Sequence, residues 1–160
     1  MFEDDYLLRL IKEMVRTVLK LLFHIDFKEE DPVSVVFESE DAEKTLYSLI
    51  HLADQGFIND AENQLYDFTQ NPENMESLKT ALLFYSHLNQ LDNDFLEDHN
   101  YSREEIVSGV KDVLNRYHLD SMSALFRKFW IMFQNTFYIQ EFMLYPADNP
   151  FFSTNIFSVG

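Results

Sequence analysis

The scarcity of chain breakers constrains this chain more than any other feature: 160 residues contain 3 glycines and 4 prolines. A many-stranded sheet needs a turn about every eight to twelve residues, and tight turns draw heavily on Gly and Pro. With glycines only at Gly56, Gly109 and Gly160, long helices are the natural way to order the chain. Hydrophobic residues make up 46%, enough for a real core and against wholesale disorder. The same glycine positions exclude a phosphate-binding loop, a dinucleotide fingerprint and the GxSxG turn of hydrolases. Cysteine is absent, which excludes disulfides, thiolate metal sites and cysteine nucleophiles and fits a reducing compartment.

Charge is distributed unevenly. The net charge of -16 arises almost wholly in residues 29–120, where 21 acids face only Lys44, Lys79, Arg103, Lys111 and Arg116. Acids and bases cancel on either side of that stretch. Such a surface repels phosphate backbones, so no nucleic-acid partner is expected. The opening residues Glu3, Asp4 and Asp5 are unlike a secretory signal, and a cytoplasmic location is the expectation. The longest wholly apolar run, residues 129–133, is far short of the roughly 18 residues a membrane span needs.

Hydrophobic spacing predicts helices over about 4–23, 41–53, 59–70, 75–91 and 102–117, with a short one near 94–98. The first is apolar on more than one stripe, because Leu8, Val15 and Leu19 widen the face set by Leu7, Leu10, Ile11, Met14 and Val18. It therefore requires neighbours on more than one side. Arg9, Lys12, Arg16 and Lys20 recur at three- and four-residue steps along its opposite, narrow face. Asp54-Gln55-Gly56 reads as a turn between the second and third helices, with Gly56 free to take a positive φ. Asn59 with Glu62, and Ser102 with Glu105, both read as capping boxes.

Beyond residue 120 the composition changes. Eleven of the chain's 25 aromatic residues fall in 121–160, nearly without charge. The expected organisation is an acidic helical domain over 1–120 and an aromatic-rich helix with an irregular tail over 121–160. In helical register Phe129, Trp130, Phe133 and Phe137 would form an apolar patch too large to leave in water.

Three stretches carry a resemblance. They are Asp4-Asp5-Tyr6-Leu7-Leu8-Arg9-Leu10-Ile11-Lys12-Glu13-Met14-Val15-Arg16, then Leu52-Ala53-Asp54-Gln55-Gly56 with Asn59-Asp60-Ala61-Glu62-Asn63-Gln64-Leu65-Tyr66, and Ala81-Leu82-Leu83-Phe84-Tyr85. Over residues 1 to about 119 the chain resembles an uncharacterised bacterial family of small acidic helical proteins, a domain of unknown function. The resemblance implies a helical fold and a bacterial cytoplasmic origin, and carries over no site residue. The second and third helices also resemble one tetratricopeptide unit: Gly56 lies five residues before Ala61, and Leu65 and Phe68 follow at the expected offsets. Leu49, however, stands where that motif prefers a small residue. No second copy of the pattern recurs about 34 residues on, so the likeness reads as similar hairpin packing, not as a peptide-binding array.

No constellation carries chemistry outright. The histidines at 24, 51, 87, 99 and 118 are scattered and form no HExxH pair. Asp92, Asp94, Glu97, Asp98 and His99 lack the glycine of a calcium loop, with Glu97 at its place, and read as solvated helix ends. No catalytic, cofactor-binding or metal-binding residue is assigned. The fold is expected to be all-α, five or six helices in antiparallel hairpins, one of them tetratricopeptide-like. The expected function is a non-enzymatic protein-interaction or scaffold module that self-associates as a homodimer through Arg9, Lys12, Arg16 and Lys20 and through Phe129, Trp130, Phe133 and Phe137. Ordinary ion-paired solvation of that basic face is the plain competing reading, and contact with an anionic membrane is disfavoured by the charge of the body. The alternative is an enzyme or metal protein whose site is assembled from scattered His and carboxylates.

Overall fold

α1 (Phe2–Phe23), α2 (Glu40–Asp54), α3 (Ile58–Phe68), α4 (Met75–Gln90), α5 (Asn93–Asp98) and α6 (Arg103–Arg116) follow one another in a computed structural model that describes residues 2–26 and 37–119. No strand occurs among those residues, and the fold is all-α. The helix expected after residue 123, with Phe129, Trp130, Phe133 and Phe137, lies outside the described residues.

α4 is the centre. Every residue from Ser77 to Ser86 is buried, as are Leu88 and Asn89. A helix buried on all faces must have partners on all faces, and α4 packs against α1, α2 and α6. The breadth of the apolar face on α1 has the same origin. Leu7, Leu10, Ile11, Met14, Val15, Val18 and Leu19 are all buried, because α1 lies against α4 and α6 together.

Polar contacts fix the directions of the helices. Thr80 donates to the Ala42 carbonyl near the start of both α2 and α4, and His87 meets Asp54 at 2.6 Å near their ends. α2 and α4 therefore run parallel. The Tyr101 hydroxyl, just before α6, reaches Glu62 near the start of α3, and Arg116 reaches Thr69 at the far end. α3 and α6 therefore run parallel too. Two antiparallel hairpins, α2–α3 and α4–α6, thus stand side by side. α1 runs antiparallel to α4: the Asn89 side chain donates to the Leu8 carbonyl at 2.9 Å, and Lys79 lies over the Phe23 ring.

The ends of the helices follow capping chemistry. Ser39 accepts from the Ala42 N–H, Asn74 from the Ser77 N–H, and Ser102 and Glu105 form a complete capping box. Gly56 takes φ +92 in the α2–α3 turn, and a Cβ there would run into the His99 ring. Only glycine suits that position on both counts.

The capping box expected at Asn59 does not form. The cap residue of α3 is Phe57, two residues before the expected cap; the helix begins at Ile58, and Phe57 makes no side-chain bond. Two burial demands decide this. Ile58 is buried in the first turn of the helix, and the Glu62 side chain is turned away from Asn59 to two tyrosine hydroxyls. The two caps should accordingly respond differently to mutation. Ser102→Ala is expected to cost about 1 kcal/mol in urea unfolding, whereas Asn59→Ala should stay within about 0.5 kcal/mol of the parent. Equal losses would contradict the assignment.

Candidate functional site

Glu62 is the polar residue around which α3, α4 and the approach to α6 meet. Its Oε1 accepts from the Tyr85 hydroxyl at 3.0 Å and from the Tyr101 hydroxyl at 2.8 Å. Tyr85 reaches Glu62 from the buried α4, and its ring lies directly beneath α6 at Gly109, where a Cβ would collide with the ring. Gly109 is thus what lets α6 cross so close to α4 while Tyr85 stays aimed at α3.

Above this contact an open groove of about 590 Å3 runs between α3 and α6, lined by Glu62, Tyr66 and Tyr85 with Glu105, Asp112 and Arg116 among others. Burial is the main influence on Glu62 and raises its pKa above the ordinary carboxylate value. The two tyrosine bonds pull it down, and the nearby charges of Glu105 and Asp112 push it up again. Burial, followed by the Glu62 charge, raises both tyrosines. Their hydroxyls therefore stay protonated and act as fixed donors.

Arg116 is the groove's cation, but its bonding is taken up within the fold. Its guanidinium lies 4.7 Å from the centre of the Tyr66 ring and donates to the Tyr66 carbonyl and the Thr69 hydroxyl. It thereby satisfies the last turn of α3. A second cavity, about 320 Å3, lies where the start of α1 meets the end of α4 and is lined in part by Asp4, Asp5, Asn93 and Arg103. Arg103 is 5% exposed and bonds Asn93, the Asn89 side chain and the carbonyls of Asn89 and Leu91. Its role is to close the C-terminal end of α4.

Of the residues singled out in the sequence, Arg9, Arg16 and Lys20 are exposed on α1 and Lys12 is half-buried. Arg16 stands 3.6 Å from Glu13. None of the four lines the α3–α6 groove. The sequence reading missed Glu62, Tyr85 and Tyr101 as a unit. Glu62 looked like a capping residue and Tyr85 like plain core, and no local pattern connects them to Tyr101. Among the described residues, no three His, Asp or Glu side chains are placed to hold a metal ion. No helix among them is long and apolar enough to cross a membrane.

With the fold and groove described, the chain can be placed: it belongs to a family of unknown function, DUF6483, whose model matches residues 1–118. No curated protein and no solved structure matches it.

The raised pKa of Glu62 has a definite consequence for stability. A carboxyl that holds its proton more tightly folded than unfolded favours folding at low pH, and that contribution is lost as the pH rises through the folded value. Glu62→Gln removes this loss yet keeps an acceptor for both hydroxyls. The stability of the variant relative to the parent is expected to increase from about pH 4 to about pH 7 in thermal unfolding. A difference that shrinks over that range would mean the tyrosine bonds favour the charged form.

Proposed function

We propose that this chain is a non-enzymatic protein-interaction module whose α3–α6 groove receives a basic side chain presented by another protein surface. The observation that carries this reading is the state of Glu62. Its carboxyl sits half-buried beside Glu105 and Asp112, in an environment that opposes its charge. A glutamine would keep both tyrosine bonds without that repulsion. A carboxyl held where burial and two neighbouring acids oppose its charge is characteristic of a binding site. Two rigid donors orient Oε1, so an incoming ammonium or guanidinium would meet a carboxylate already in place.

The arrangement of the helices supports the same class. Paired hairpins with like helices parallel are how tetratricopeptide-type scaffolds stack, and α4 opens at Met75 where α2 opened at Glu40, close to the 34-residue period of such arrays. The exposed Tyr66 at the groove rim adds an aromatic surface of the kind enriched at interfaces.

The test is a titration of the full-length protein with a short fluorescent peptide of alternating Lys and Ala, read by anisotropy at low salt. Glu62→Gln is expected to weaken binding at least about tenfold, with a thermal midpoint no lower than the parent's at neutral pH. Glu97→Gln, which removes the same charge from the exposed face of α5, should leave binding within about twofold. Equal effects of the two substitutions would show that the peptide senses only net charge, and the groove assignment would fail.

A further inference from the structure

The groove's requirement for a cation can be compared with where this chain carries accessible cations. Lys79 and Arg103 are buried. Lys44 is exposed but is a single cation beside Glu40, Asp41 and Glu43 on α2, and Arg116 is held by Tyr66 and Thr69. Lys111 of α6 is itself engaged. The one concentrated basic surface among the described residues is the outer face of α1, where Arg9, Arg16 and Lys20 are exposed beside the half-buried Lys12, itself engaged. Asp5 and Glu13 share that face, so its positive character is strongest over the C-terminal half. The Arg16–Glu13 pair is 3.6 Å apart with both side chains well exposed, an ion pair weak enough to exchange partners.

This basic face cannot serve its own groove. α1 packs on α4 and α6, whereas the groove lies between α6 and α3 and includes no residue of α1 among those that line it. From the charge complementarity of these two surfaces we infer that the occupant of the groove is the basic face of α1 from a second copy of the chain. This rests on the interaction reading above and names its partner. Two chains of charge -16 repel each other in most orientations. Setting α1 of one against Glu62, Glu105 and Asp112 of the other is the orientation that replaces repulsion with attraction. Apolar area accompanies the charges: Leu21 is 52% exposed near the end of α1, and Tyr66 is 55% exposed at the groove rim.

The contact joins unlike surfaces, so it is head-to-tail. One helix face in one groove falls near or below the roughly 1,200 Å2 that marks the low end of specific interfaces. The association is therefore weak and falls with added salt.

Unlike surfaces allow a complementation test. One full-length variant, Arg9→Glu/Arg16→Glu/Lys20→Glu, keeps the groove and loses the basic face. The other, Glu62→Gln/Asp112→Lys, keeps the basic face and loses the groove. Circular dichroism first establishes that both are folded. Sedimentation velocity in low salt is expected to show self-association of the parent weakened at least about tenfold in either variant alone. An equimolar mixture of the two variants is expected to form a 1:1 complex, because one contact can form and no more. A mixture that stays monomeric, or variants that self-associate as the parent does, would overturn the inference. A parent that is monomeric yet binds the Lys-Ala peptide through Glu62 would also overturn it, while leaving the interaction reading intact. Loss of peptide binding would remove both.

Discussion

The structure depends on a single demand: α4 has no face to offer to water. A helix of sixteen residues buried in this way draws α1, α2 and α6 around it, and the hydrophobic surface it removes from water is the main source of stability. Burial also obliges its polar side chains to find partners inside the protein. Thr80 finds the Ala42 carbonyl, and Asn89 finds the Leu8 carbonyl and Arg103. These bonds specify which helix lies where and in which direction. Apolar contact alone would tolerate several arrangements.

Lys79 shows how far this goes. It is 5% exposed, pairs with Glu76 at 2.7 Å, and lies over the rings of Phe23 and Phe37. Glu76 in turn accepts from the backbone N–H groups of Glu38 and Ser39. One buried ion pair thus holds the end of α1 and the approach to α2 against the start of α4. A buried pair of this kind adds less to net stability than to the choice of one geometry. Tyr85 applies the same logic on the opposite stretch of α4. Its hydroxyl must be satisfied, Glu62 satisfies it, and a carboxylate is thereby installed beneath the groove between α3 and α6.

Much of this frame was legible in the chain. Few breakers and a 3.6-residue period located the helices, and Gly56 and Ser102 marked a turn and a cap because their chemistry is local. What could not be read was long-range. Asn59-Glu62 and Ser102-Glu105 carry closely similar capping patterns, yet only the second forms a capping box. The difference lies in Ile58, Tyr85 and Tyr101, which no window around Asn59 contains. Arg103 closes the end of α4 through Asn89, Leu91 and Asn93, a role that the capping pattern around it does not announce. The close crossing of α6 over α4 was equally hidden, because it depends on Gly109 meeting Tyr85, a residue far away in the chain. The basic face of α1 was visible at once, but that it lies away from the α3–α6 groove required the fold.

The central claim is that α4 is the one element that cannot open by itself, and native-state amide hydrogen exchange tests it most directly. The amides of residues 80–84 are predicted to exchange only through global unfolding, with an opening free energy equal to that from denaturant unfolding. Exchange of those amides through local opening, at a lower free energy than Val110 or Val113 of α6, would contradict the account.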